Sequence, residues 1–385
     1  MSYEFDTILD RRGTNCLKYD FAAQRGKPNG LIPMWVADMD FPAPQAVLED
    51  IQKAVAHGIF GYTEVQEAYY DAVSAWFTTR FHYSFERRDV LKTPGVVFAL
   101  ALAVRAFTKP GDGILIQTPI YYPFYEVIRD NEREIVENPL QYEDGKYKIN
   151  FVDFEQKIKT GGVKLFLLCS PHNPVGRVWT REELTRMRDL CDQYDVLVFS
   201  DEIHSDFVWE GAGHTCFGTL SENAIVATAP SKTFNLAGLQ VANNIIKNPK
   251  MRKKMHDELN KSGYSQLNTL GLVACQSAYT HGGEWLKELK KYIWQNIQLV
   301  DSFLKENLSK VHLVDPQGTY LLWMDFTALG MTQDALDEKM IHKAKLWLDS
   351  GTMFGLGGTG FQRMNVACPR ATLQKALEQL AEAFK

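Results

Sequence analysis

Unbroken apolar runs organise the middle of the chain: Gly113–Gln117, Lys164–Cys169, Val196–Ser200 and Ala224–Thr228. Continuous rather than alternating apolarity means cover on both faces, so these runs predict a largely parallel sheet packed between helices. Thr180 to Tyr194 reads as a helix, with Thr180 and Glu183 at capping-box spacing and Leu184, Met187, Leu190 and Cys191 as an apolar stripe. After Gly282-Gly283 a long amphipathic helix carries Trp285, Leu289, Tyr292, Ile293, Val300, Phe303 and Leu304 on one side. Strand patterns follow at Val311–Val314, Tyr320–Phe326, Lys345–Leu348 and Phe361–Cys368, then a closing helix from Ala371 to Phe384. The pattern predicts an α/β architecture with a large domain over residues 45–284. A smaller α+β domain takes residues 285–385 together with 1–44, a segment whose Pro and Gly breaks suit packing onto that domain or the cleft.

Composition narrows the class. A chain of 385 residues, 45% hydrophobic and 23% charged, has ample core for two domains sharing an interface. A net charge of −5 and dispersed lysines argue against nucleic acid as a partner. The longest apolar stretch, Val96–Val104, is too short to cross a bilayer, and the acidic start, Met1–Asp6, lacks a signal-peptide core. A soluble cytoplasmic protein without a membrane partner is expected. The six cysteines are scattered beside apolar residues with no C-x-x-C pair, which fits small core residues in a reducing compartment.

Polar residues with chemistry in them fall just past the ends of the apolar runs. Tyr121 and Tyr122 follow Thr118-Pro119-Ile120, Asn173 sits in Ser170-Pro171-His172-Asn173-Pro174, Asp201 follows Ser200, and Lys232 follows Thr228. Ligands of open α/β sheets bind outside the carboxyl ends of the strands, so separate segments aim side chains at one rim. Lys232, in Ala229-Pro230-Ser231-Lys232-Thr233, stands where a buried strand enters a loop. Partial desolvation there would lower its pKa and free a nucleophilic amine; the alternative is a strand-end charge in water. Asp201 either faces a cationic ring nitrogen or caps the next turn. Thr93-Pro94-Gly95-Val96-Val97-Phe98 leads into a helical run, Ala99–Phe107, whose free N–H groups and dipole suit a phosphate or simply begin a helix, and the Ser231 hydroxyl is a further donor. Arg363 suits a forked bond to a carboxylate, or else a structural ion pair. Amine, acid, anion-binding turn and guanidinium together are the parts of a pyridoxal phosphate site.

Two other patterns are set aside. Gly355-Leu356-Gly357-Gly358-Thr359-Gly360 has dinucleotide-loop spacing but precedes a strand pattern rather than a helix. Asp201, Glu202, His204 and Asp206 look like metal ligands, yet alternate residues of a strand face opposite ways, so no metal is expected.

The segments S-P-H-N-P-V-G (170–176), S-D-E-I-H (200–204) and S-K-T-F-N-L-A-G-L (231–239), in this order and spacing, resemble fold-type I pyridoxal phosphate enzymes of the class I/II aminotransferase family. Ile32–Phe41 looks like the MalY/PatB group of C–S lyases, the cystathionine β-lyase type. The resemblance covers essentially the whole chain. It implies the fold-type I transferase fold: a mainly parallel sheet with helices on both faces, plus a smaller α+β domain. It further implies that Lys232 holds the cofactor and shuttles the proton, Asp201 pairs with the ring nitrogen, Asn173 bonds the ring oxygen and Tyr121 stacks on the ring. Val96, Val97 and Ser231 would hold the phosphate, joined by Tyr62 from the neighbouring subunit of a homodimer. Arg363 would take the carboxylate of a small amino-acid substrate, with Val36, Ala37 and Asn173 alongside. His204 stands where aspartate aminotransferases carry a tyrosine near the cofactor, and Gln240 where they carry a phosphate-binding arginine; both departures favour the lyase branch. The implied reaction is α,β-elimination on an L-cysteine S-conjugate, with Lys232 or Tyr121 protonating the leaving thiolate. An aminotransferase using the same site, or a lyase with an added regulatory binding role, are the alternatives.

Overall fold

The computed structural model of the chain describes residues 3–385; Met1 and Ser2, part of the acidic start, lie outside the described residues. Its larger sheet has seven strands. In chain order they are β1 (Val90–Thr93), β2 (Gly113–Thr118), β3 (Glu134–Pro139), β4 (Val163–Cys169), β5 (Leu197–Asp201), β6 (Ala224–Thr228) and β7 (Ala242–Ile245). Across the sheet they run β1-β7-β6-β5-β4-β2-β3. Strands β6, β5, β4, β2 and β3 pair in parallel, while β7 is antiparallel to both neighbours.

Alternate residues of β4 explain its continuous apolarity. Leu165, Leu167 and Cys169 pack on the face covered by the Val96–Phe107 helix, whereas Phe166 and Leu168 pack on the face covered by the Arg181–Gln193 helix. The latter helix begins as its sequence predicts: Thr180 Oγ1 accepts from Glu183 N, and the Glu183 carboxylate accepts from Thr180 N at 2.8 Å.

Three strands, β1, β3 and β7, are absent from the apolar runs. β1 is an edge strand with alternating burial, and β3 is an edge strand largely half-exposed, so neither needs apolar residues throughout. β7 is fully buried but contains Asn243 and Asn244. Their side chains are bonded: Asn243 Oδ1 accepts from Tyr69 OH at 2.8 Å, and Asn244 Nδ2 donates to Leu91 O at 2.8 Å. The helix after Gly95 also starts earlier than its periodicity suggests, at Val96.

The smaller sheet orders β8 (His312–Leu313), β9 (Leu321–Asp325), β10 (Asp349–Ser350) and β11 (Phe361–Asn365) as β8-β9-β11-β10. The Lys345–Leu348 pattern lies outside this sheet: its strand, Leu346–Trp347, pairs in parallel with Ile32–Pro33 in a sheet of two, and Asp349–Ser350, just beyond it, is the edge strand instead. An ion cluster fixes the N-terminal segment further along. Lys18 Nζ, 1% exposed, lies 2.8 Å from Asp40 and 3.7 Å from Asp38, and Arg11 bonds Asp38 at 2.6 Å and Asp40 at 2.8 Å. All six cysteines are free, five of them buried. Among the described residues no helix is long and apolar enough to cross a membrane.

Removing one member of a buried ion cluster leaves its partners uncompensated. We therefore expect Lys18→Ala to cost about 3–5 kcal/mol in urea unfolding. Lys53→Ala, which breaks an exposed Asp50 pair, should leave the unfolding midpoint close to that of the unaltered protein. Equal midpoints for the two variants would show that the cluster does not secure the segment.

Candidate active site

The carboxyl ends of β2, β4, β5 and β6 share one rim, because parallel register sets Cys169 beside Asp201 and Asp201 beside Ala227. Asp201 ends β5 at that rim, while Tyr121, Asn173 and Lys232 lie on segments that leave it, and backbone bonds tie the first two of these together. Tyr121 N donates to Asn173 O at 3.1 Å, and Ile120 N donates to Phe354 O at 2.9 Å.

Lys232 lies in a short helical turn, Pro230–Thr233, rather than an open loop. Thr233 Oγ1 anchors the turn by donating to buried Asp206 at 2.8 Å. The half-buried Lys232 amine donates to Ala37 O at 2.7 Å. Loss of water around it lowers its pKa to about 8, opposed by the Asp38 charge, reinforced by Arg363, and opposed again by Asp201. Asp201, buried, accepts from Ile203 N at 3.1 Å and pairs with no cationic side chain among the described residues. Its burial pushes the carboxyl up to about 7, an effect that the Ile203 bond and the Lys232 charge restrain. A protonated ring nitrogen would supply the counter-charge that this carboxylate lacks.

Arg363, on β11 and 2% exposed, crosses from the smaller sheet to the same rim. Its Nη1 donates to Asn173 Oδ1 at 2.9 Å and its Nη2 donates to Trp35 O at 2.9 Å and to Asp349. Arg363 Nε is buried with no partner among the described residues, as is His204 Nδ1. Burial and the neighbouring Lys232 and Arg363 charges hold the His204 imidazole neutral at physiological pH. The bond from Arg363 occupies Asn173 Oδ1, so Asn173 Nδ2 is left to donate elsewhere.

Val96 and Val97 open the helix after Gly95 with N–H groups that have no acceptor among the described residues, and Ser231 lies half-buried beside Lys232. These donors, an unpaired carboxylate, a free amine and the Tyr121 ring fit pyridoxal phosphate by their chemistry. Gln240 is exposed with φ 52°, at the end of the Ala237–Leu239 turn. Tyr62 does not join the site of its own chain; it is 98% exposed. Asp201, Glu202, His204 and Asp206 diverge where β5 ends: Glu202 binds His214 at 2.8 Å, and Asp206 binds Trp76 Nε1 at 3.1 Å. No group of three or more potential ligands among the described residues could hold a metal.

Three further residues, Asn365, Tyr320 and Asn235, hold the segment that faces Lys232. Asn365 Nδ2 donates to Val36 O at 2.6 Å and to Asp38 O at 2.5 Å, and Tyr320 OH donates to Ala37 O at 3.2 Å. Asn235, at φ 58°, bonds both N and O of Met39 and the carbonyl of Phe41. Tyr320 and Asn365 belong to strand patterns that show only core; Asn235 stands inside the S-K-T-F-N-L-A-G-L segment, where its placement next to Lys232 was the available clue.

The aminotransferase class I and II family model matches residues 30–380. Cystathionine beta-lyase PatB of Bacillus subtilis is 43% identical over 384 residues, 99% of each chain. Cystalysin from Treponema denticola, whose structure contains pyridoxal 5'-phosphate, superposes with a TM-score of 0.96 at 40% identity, covering 100% of this chain and 99% of its own. The PLP-bound C–S lyase from Staphylococcus hominis gives 0.93 at 33% identity, covering 100% of this chain and 98% of its own.

Only the unprotonated amine is nucleophilic, so Lys232 in cofactor-free protein should reach half its maximal acylation rate near pH 8, well below surface lysines. The Asp38 charge favours the ammonium form, and Asp38→Asn should therefore move that midpoint down. A midpoint that rose or stayed fixed, read by pH-resolved labelling and mass spectrometry, would contradict this electrostatic account.

Proposed function

This chain belongs to the class I and II aminotransferase family, and on that premise we propose that it is a pyridoxal-phosphate-dependent C–S β-lyase. Its substrates are cystathionine or related L-cysteine S-conjugates; its products are a thiol, pyruvate and ammonia. The observation that carries the reading is the convergence of a depressed-pKa amine, an unpaired buried carboxylate and a buried guanidinium at one rim. Full-length identity to a cystathionine β-lyase supports the lyase branch.

Pyridoxal phosphate, when bound, contributes an aldehyde that condenses with amines and a cationic ring that accepts an electron pair from the substrate α-carbon. Lys232 holds the cofactor at rest; once free, its amine removes the α-proton. A pKa near 8 leaves part of the amine unprotonated at neutral pH, which suits it to that task. Asp201 keeps the proton on the ring nitrogen. Asn173, through Nδ2, His204 and the Tyr121 ring would hold the cofactor ring. Val96 and Val97 backbone N–H groups and the Ser231 hydroxyl would hold the phosphate, without Gln240. Arg363 takes the α-carboxylate, each charge-assisted bond contributing about 1.5–3 kcal/mol. Val36 and Ala37 close the substrate side. Lys232 or Tyr121 returns a proton to the departing β-thiolate, and the released enamine takes up water to give pyruvate and ammonia.

The same reading makes residues 45–284 the cofactor-binding domain and 285–385 with 1–44 the smaller one, in a cytoplasmic homodimer. Ile59 and Phe60 are 72% and 59% exposed beside Tyr62, an apolar tip suited to a second copy of the chain. In that dimer Tyr62 reaches the partner's phosphate. Pyridoxal phosphate titrations should then show about 10-fold weaker binding by Tyr62→Phe, and sedimentation should give a dimer; a monomer with unchanged affinity would remove Tyr62 from the site.

Cofactor-loaded enzyme should release pyruvate from L-cystathionine without any added 2-oxo acid. Lys232→Ala should lower that rate by about 10²–10⁴-fold. Turnover that requires a 2-oxo acid would identify an aminotransferase, and full activity in Lys232→Ala would overturn the assignment of the base.

A further inference from the structure

We infer that Tyr320 is a positioning residue for the reaction, acting on the Lys232 amine through the carbonyl of Ala37. Lys232 Nζ and Tyr320 OH donate to this one oxygen, at 2.7 and 3.2 Å. The oxygen is fixed because the carbonyls around it are bound in other directions. Trp35 O accepts from Arg363, Val36 O and Asp38 O from Asn365, and Met39 O from Asn235 and Arg11. Ala37 O thus forms a fixed dock for the Lys232 amine.

Tyr320 is equally constrained. It is wholly buried, with its ring edge-on to Phe207 at 4.9 Å and to His204 at 6.1 Å. Burial raises its phenol pKa, so the hydroxyl stays neutral and remains a donor. A carbonyl oxygen has two lone pairs. Tyr320 occupies one of them, leaving a single site for the amine, which limits its swing and directs its remaining nitrogen valences toward the substrate. An oxygen already accepting one hydrogen bond is also a weaker acceptor for a second, so Tyr320 keeps the carbonyl from over-stabilising the ammonium form. The charged or titratable groups facing this amine are Asp38 from the N-terminal segment, Asp201 and His204 from the end of β5, Arg363 from β11, and Tyr320 itself.

The test is Tyr320→Phe, which deletes the hydroxyl and keeps the ring. In cofactor-free protein, the Lys232 acylation midpoint should move upward from about 8, opposite in sign to Asp38→Asn. In the loaded enzyme kcat should fall about 10-fold with KM for L-cystathionine within twofold, because Tyr320 makes no bond to Arg363. Phe207→Leu disturbs the same ring's packing and keeps the hydroxyl; it should leave the midpoint in place. An unchanged midpoint in Tyr320→Phe, or the same shift in Phe207→Leu, would overturn the inference. The kinetic arm rests on the lyase reading and the labelling arm does not. Absent wild-type turnover with a shifted midpoint would therefore reject the lyase and keep the role of Tyr320.

Discussion

The backbone of residues 35–39 is the piece on which the site depends. Its carbonyl at Ala37 receives Lys232 from the larger sheet, its carbonyl at Trp35 receives Arg363 from the smaller one, and Asn365 spans the oxygens of Val36 and Asp38. A bent segment with no sheet partner among the described residues has polar groups that must find side chains or lose free energy by burial. Here those side chains are Lys232, Arg363, Tyr320, Asn365 and Asn235. The ion cluster of Arg11, Lys18, Asp38 and Asp40 lies directly behind and fixes where the segment runs.

Electrostatics of the rim follow from this arrangement. Lys232 and Asp201 are both withdrawn from water, and burial drives each toward its neutral form, the amine down to about 8 and the carboxyl up to about 7. An amine whose protonation changes near neutral pH can release and take up a proton with little cost, which serves acid–base chemistry rather than stability. Asp38 counters the effect of burial on Lys232, so a residue of the N-terminal segment tunes a group nearly two hundred positions away. Polar atoms left open, Arg363 Nε and His204 Nδ1 among them, belong to the same trade. Each costs stability in the bare protein and is available to a bound molecule.

How much of this was legible depended on whether the signal was local. The parallel strands β2, β4, β5 and β6 announced themselves because strands covered on both faces need apolar residues at consecutive positions. The capped Arg181–Gln193 helix was equally plain, and the positions of Tyr121, Asn173, Asp201 and Lys232 past the strand ends located the rim. Three strands escaped: β1 and β3 lie at sheet edges, and β7 carries two asparagines whose bonding partners come from elsewhere in the chain. Leu346–Trp347 read as a strand of the smaller domain, yet its partner is Ile32–Pro33, more than three hundred residues earlier.

By itself, the sequence determined the α/β class, the strand ends that carry Lys232 and Asp201, and the family motifs, because apolar periodicity and short motifs are written in consecutive residues. Tertiary structure alone decided which carbonyl meets the lysine, that Tyr320 shares it, that Asn365 and Asn235 hold the segment in place, and that Arg363 is buried against Asn173, Trp35 and Asp349. Those contacts join residues far apart in the chain, and a hydrogen bond between them depends on angles and distances of a few tenths of an ångström that no local pattern encodes. Burial acts likewise: the shifts of Lys232 and Asp201 arise from how much water the folded chain excludes, a property of the assembled rim rather than of either residue.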